Sequence, residues 1–286
     1  MPVFICIISA FFWAIFDLTR KLTLEKISPV NLLLVFTLTQ LIIFFIWLFY
    51  EDFSIILTPY LLPGIILVIM GLLSALLFLK AIRQSELSLT IPLLSLSPMF
   101  SSLFSFFFLN EKLFNIQYLG IFLIILGTLI LYSKKLTLNE ILQSFKIILT
   151  NNSAKLMVLV SIIWSLTPVL DKLCLKNSSI NIHGVIQSSG MIILLIFLSK
   201  KKGGYETVNM KKNWKLILLT VLIGTTATIL QFYAILSNYV PIMESIKRSI
   251  WQLSSVFLGK IFFNEKITKP KILGVIFLSI GVYFIV

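Results

Sequence analysis

Glu244, Lys247, Arg248, Trp251 and Ser255 are spaced i, i+3, i+4, i+7 and i+11, which is one face of one helix. Ile246, Ile250, Leu253 and Phe257 occupy the other side. Glu244 can reach Lys247 at i+3 and Arg248 at i+4, which leaves one positive charge uncompensated. Three uses fit such a stripe. It can be a local ion pair with Lys247 snorkelling to the membrane interface, a gate, or a cationic patch that binds an anionic or zwitterionic substrate. The last is the reading carried forward, with Glu244, Lys247, Arg248 and Trp251 as substrate-binding candidates.

Depth decides whether the stripe matters. A helix begun after Arg248 would run 249–263, about 22 Å, short of a bilayer core of about 30 Å. Begun near Val240, it spans about 36 Å and puts Lys247 and Arg248 roughly 10–12 Å along its axis. Charges at that depth cost several kcal/mol against lipid, so they face a bundle interior or an aqueous cavity.

Other polar residues compete for the same site. Asp17 and Asp171 are proton-coupling candidates, because a carboxylate in a low-dielectric cavity holds its proton more firmly. Each also has a basic neighbour, Arg20 or Lys172, with which it could form an interfacial pair. Trp13 and Trp164 read as cavity walls or as headgroup-level anchors. Ser88, Ser95 and Ser102 recur every seven residues beside Pro92 and Pro98, where kinks could free carbonyls for a substrate or serines could pack closely. Gln231 and Tyr233 add polar groups further along. His183, the only histidine, stands at a helix start and reads as interfacial.

Catalysis finds little support. With one histidine, and no HExxH, GxSxG or P-loop pattern, hydrolysis and ATP-driven pumping have no machinery in the sequence. No catalytic residue, metal site or cofactor is expected. Cys6 and Cys174 both fall in apolar runs and read as buried thiols.

The elements that position these residues follow from composition. The 286 residues are 58% hydrophobic and 12% charged, about half the charge of a soluble domain. Apolar runs near 20 residues recur from end to end, each enough to cross a bilayer. The expected fold is an all-α polytopic membrane protein of ten helices, near 3–22, 30–50, 59–82, 87–109, 116–133, 155–174, 181–199, 214–236, 240–263 and 270–286. The opening "MPVFICIISAFFWAIF" lacks a basic n-region and reads as the first span. The stretch 136–149 has the spacing of a short interfacial helix.

Self-similarity organises the chain further. "LNEKLFNIQYLGIFLIILG" at 109–127 aligns without gaps with "FNEKITKPKILGVIFLSIG" at 263–281. Asn110, Glu111, Lys112, Leu119, Gly120 and Gly127 are matched by Asn264, Glu265, Lys266, Leu273, Gly274 and Gly281. "WAIFDLTRKL" from Trp13 likewise matches "WSLTPVLDKL" from Trp164. The expected organisation is one five-helix repeat over 1–133, a connection over 134–154 and a second repeat over 155–286. An odd number of spans per repeat inverts the second relative to the first, the build of many secondary transporters with a site at midplane.

Charge sets the expected orientation. The face holding both termini carries Lys112, Lys172 and Lys176, whereas the opposite connections and helix ends carry nineteen Lys and Arg residues. By the positive-inside rule the basic face is cytoplasmic and both termini lie outside. The net charge of +13 is thereby explained by loops beside anionic lipid, not by a nucleic-acid partner. The expected partners are the bilayer and a small-molecule substrate, with the chain acting as a monomer or homodimer in the cell (plasma or inner) membrane.

With its paired tryptophans, the "PLLSLSPMFSSLFSFFFLNEKL" segment at 92–113 and the "FFNEKI" counterpart at 262–267, the whole chain resembles the drug/metabolite transporter superfamily, in its ten-helix EamA-like branch. The resemblance implies a secondary transporter using alternating access, and a cavity lined by helices 1, 3, 4, 6, 8 and 9. It also implies cytoplasmic termini for many relatives, opposite to the charge count. "IKR" at 246–248 looks like the phosphate-contacting Lys-Arg pair of plastid phosphate translocators in that superfamily. A lipid-linked substrate flippase, or less so a membrane enzyme, stands as the alternative.

Overall fold

The computed structural model describes residues 2–84, 91–133, 137, 152–199, 207–263 and 268–286. Ten long helices make up almost all of it: α1 (Pro2–Leu24), α2 (Pro29–Trp47), α3 (Leu57–Gln84), α4 (Ser97–Leu109), α5 (Asn115–Tyr132), α6 (Asn152–Leu175), α7 (Ile180–Ser199), α8 (Trp214–Ser237), α9 (Val240–Phe263) and α10 (Lys269–Ile285). A short helix, Thr207–Lys212, precedes α8. Six of the ten, α1, α2, α3, α6, α7 and α8, are long and apolar enough on composition alone to cross a membrane. The proposed interfacial helix at 136–149 lies outside the described residues, apart from Thr137.

Local chemistry sets the helix ends. Ser28 accepts a hydrogen bond from the Asn31 amide at 3.4 Å, with Pro29 as the first helical residue of α2, the preferred place for a proline. The expected continuous fourth span is instead two pieces. Ile91–Leu96 forms a tight 3-10 turn and α4 begins at Ser97 with Pro98 in its first turn. Pro98 has no N–H to give the preceding turn, and its ring crowds that turn's carbonyl. Asn110 then ends α4 in the left-handed region at φ 56°, a conformation asparagine tolerates better than most residues.

Packing follows the inverted repeat. α1 lies against α8 and α9, while its counterpart α6 lies against α3 and α4. The remaining main pairs, α2 with α7, α4 with α9 and α5 with α10, each match a helix with its own counterpart. The chain is therefore a ten-helix bundle of two inverted five-helix repeats. The glycines of the sequence repeat form the α5–α10 seam. A Cβ on Gly120 would stand 2.7 Å from the Gly281 carbonyl oxygen, and one on Gly127 would stand 2.9 Å from that of Gly274. Only glycine lets these two helices approach so closely.

The bundle has two distinct faces. On the terminal face, the α2–α3 and α6–α7 turns are joined by an isolated β-bridge, Ile55 with Ser178, and Asn238 Nδ2 donates to the Pro2 carbonyl at 3.1 Å. On the basic face, Ile27 in the α1–α2 turn packs with Ile217 and Met210.

Candidate substrate site

Helix α9 spans 24 residues, begins at Val240 and carries its charged stripe inward. Glu244 and Arg248 are buried, at 0% and 5% exposure. Lys247 is partly covered. Glu244 sits between its two cationic neighbours, with Oε1 3.4 Å from Lys247 Nζ and Oε2 3.2 Å from Arg248 Nη2. The expected i+3 and i+4 pairs are both present. Ser97 of α4 completes the cluster, donating to Glu244 Oε2 at 3.0 Å and accepting from Arg248 Nη2 at 3.2 Å. Lys247 Nζ also donates to Gln231 Oε1 of α8 at 2.7 Å.

Each cation lies over a tryptophan from a different repeat. Lys247 Nζ is 4.8 Å from the Trp13 ring centroid on α1, and Arg248 Cζ is 5.4 Å from that of Trp164 on α6. Trp13 and Trp164 hold equivalent places in the two repeats, so one motif supplies both walls. Electrostatic attraction to the ring face fixes the cations without neutralising them. One carboxylate thus serves two cations, and the cluster keeps a net positive charge.

Trp13, Trp164, Gln231, Lys247 and Arg248 line a cavity of about 320 Å³, with Glu244 and Ser97 outside the lining, a volume at the small end for ligand sites. Its polar lining also includes Asp17, Arg20, Gln40, Asp171 and Gln187, and Phe16, Phe36, Phe78, Phe232 and Trp251 form much of the apolar wall. The lining extends to Leu24 and Pro29 at the basic end. Two donors in this region have no acceptor among the described residues: Arg248 Nε and Trp13 Nε1, both shielded from solvent. Buried N–H groups left unpaired are costly and uncommon.

The other candidate residues fall in different places. Asp17 pairs with Arg20 at 2.6 Å, and Arg20 is held between the Phe16 and Phe78 rings at 5.3 and 4.9 Å. Asp171 does not pair with Lys172. Its Oδ1 lies 3.1 Å from His183 Nε2, while Lys172 Nζ lies 2.6 Å from Glu111 Oε1. Adjacent helical residues point in different directions and cannot share a partner's surroundings.

His183 is not interfacial. It is fully buried, bonded through Nδ1 to the Tyr60 hydroxyl at 2.9 Å and packed edge-on to Phe232 at 5.0 Å. Tyr233 is 40% exposed and lies outside the cavity lining, as its position two residues from the inward Gln231 requires. Ser95 is buried but also outside the lining; the serine that joins the charged cluster is Ser97. Ser88 lies outside the described residues. Among the described residues α4 contributes nothing to the cavity wall and stands behind α9 instead, whereas α2 and α7 do line it. The described lining thus adds α2 and α7 to the helices expected from the family resemblance.

The family model described as the EamA-like transporter family matches residues 1–133 and 152–286. No curated protein matches the sequence significantly. Among solved structures, a crystal structure titled only as that of a protein shares the fold, with a TM-score of 0.69 at 13% identity, covering 99% of this chain and 95% of its own.

Proposed function

The chain belongs to the EamA-like transporter family, and from that premise we propose that it carries a small anionic or zwitterionic metabolite across the cell membrane. The solute binds at Lys247 and Arg248, and the two inverted repeats expose this site to each face in turn. The observation that carries this reading is the surplus positive charge on the cavity wall. Lys247 and Arg248 both line the cavity and share the single carboxylate of Glu244, so the cluster keeps one positive charge without a partner. An oxyanion from the solute would balance that charge through charge-assisted hydrogen bonds. The aromatic walls suit an apolar or planar body attached to it. The cavity volume of about 320 Å³ limits the solute to a small molecule.

The test is counterflow in proteoliposomes with a panel of radiolabelled amino acids, nucleotides and phosphorylated metabolites. Accumulation of a member bearing a carboxylate or phosphate is expected, and Lys247→Ala and Arg248→Ala should each abolish it while the protein remains in the membrane. Full activity in both variants, or lipid scrambling with no soluble counterflow, would overturn the reading.

A further inference from the structure

The cavity wall holds a second buried polar group with no role in the oxyanion site. Asp171 Oδ1, His183 and Tyr60 form a chain. The carboxylate is 3.1 Å from Nε2, and Nδ1 is 2.9 Å from the tyrosine hydroxyl. Asp171 lines the cavity, whereas His183 is sealed at 0% exposure. A carboxylate only accepts, so a neutral His183 donates through Nε2–H and accepts the Tyr60 hydroxyl at Nδ1. The dyad then carries one negative charge.

Its surroundings make that charge consequential. From α3 the dyad meets Tyr60, whose hydroxyl also accepts from Gln187 Nε2 at 3.3 Å. From α8 it meets the Phe232 ring, 5.0 Å from that of His183. On α6 itself, Lys172 is bound to Glu111, and Cys174 Sγ rests 4.0 Å from the Tyr60 carbonyl. The same cavity is also lined by Lys247 and Arg248 of α9, each paired with Glu244. With Asp17 cancelling Arg20, the described cavity charges sum to zero when His183 is neutral. The single negative charge of the dyad balances the surplus positive charge of α9.

We propose that the Asp171–His183 dyad is the proton-binding site of the transporter, taking up one proton when a solute with one net negative charge binds at Lys247 and Arg248. This rests on the oxyanion reading above. A bound anion uses up the α9 surplus and leaves the cavity one charge negative, a state that low-dielectric walls disfavour. One proton from cavity water removes it. The proton enters at Asp171 and is held there as the acid or passed to His183 as imidazolium. In either form the dyad goes from minus one to zero, and no other bond changes. A net-neutral zwitterion would need no proton.

The sole histidine allows a direct test without any transported solute. Protein labelled with 13C,15N-histidine in lipid nanodiscs gives one imidazole signal set, and its ring shifts report protonation at either member of a bonded pair. The signals are followed from pH 5 to 9 for a protonation transition. Asp171→Asn should abolish it or lower the proton affinity at least tenfold. Lys247→Gln, which removes the balancing cation, should raise the affinity about tenfold, a shift of about one pH unit. Elution as a monodisperse species shows that each variant is folded, and Lys247→Gln keeps the test open if Asp171→Asn misfolds. An imidazole that stays in one state from pH 5 to 9 in both wild type and Lys247→Gln would overturn the proposal. So would a transition insensitive to both substitutions. Neither result bears on counterflow, so the oxyanion site stands or falls separately.

Discussion

Glu111 Oε1 lies 2.6 Å from Lys172 Nζ, joining the α4–α5 turn to the end of α6 at the terminal face. Its Oε2 accepts the Val240 amide at 2.8 Å, so one carboxylate also caps the start of α9. Lys172 Nζ gives a further hydrogen bond to the Asn238 carbonyl at 2.5 Å. Four segments therefore meet at one ion pair whose members are 6% and 7% exposed. Glu111→Gln strands a buried ammonium and should cost about 3 kcal/mol of stability. Lys172→Met strands the carboxylate and should cost as much. The double variant should lose less than the sum of the two, as read from thermal unfolding in detergent.

Arg248 makes contacts that depend on the shape of its head group. Nη2 meets both Glu244 and Ser97 at 3.2 Å while the guanidinium plane covers Trp164. Lysine keeps the charge but has neither the fork nor the flat face. Arg248→Lys should therefore reduce counterflow at least tenfold, about 1.4 kcal/mol, whereas Lys247→Arg should retain more. Equal rates for Arg248→Lys and wild type would show that charge alone suffices.

Much of this was legible in the sequence, and the failures have physical causes. The charged stripe of α9 was readable because a helix fixes the relation of i, i+3, i+4 and i+7. The inverted repeat was readable because Asn110 and the glycines have backbone and contact requirements that few residues meet. Ser97 was missed in favour of Ser95 because a seven-residue spacing assumes unbroken α-helix. The 3-10 turn before Pro98 has about three residues per turn and resets the phase. His183 was misplaced because its neighbours include Tyr60 and Phe232, on two helices remote in sequence. The partner of Lys172 was hidden for the same reason, since Glu111 approaches from the other repeat.

The α5–α10 seam separates stability from transport. Neither helix lines the cavity among the described residues, yet a Cβ on Gly281 would stand 2.8 Å from the Gly120 carbonyl oxygen and 2.7 Å from Ile124 Cγ1. Backbone cannot yield as a flexible side chain can, so Gly120→Ala and Gly281→Ala should each cost about 1–3 kcal/mol. Counterflow per folded molecule should be unchanged. Lower yield and melting temperature with an intact specific rate is the expected pattern; a loss of rate at full stability would contradict it.

Orientation follows from where the lysines stand. Lys176 lies just beyond α6 on the terminal face, and Lys212 ends the short helix before α8 on the basic face; both are exposed. The positive-inside rule predicts that the terminal face lies outside the cell. The native thiols, Cys6 and Cys174, are both buried, so a single introduced cysteine can be followed against a low background. In intact cells Lys176→Cys should react with a membrane-impermeant maleimide, and Lys212→Cys should react only after permeabilisation. The reverse pattern would place the termini in the cytoplasm. The cavity end near Leu24 and Pro29 would then face outward, and the face holding the Glu111–Lys172 pair would face the cytoplasm.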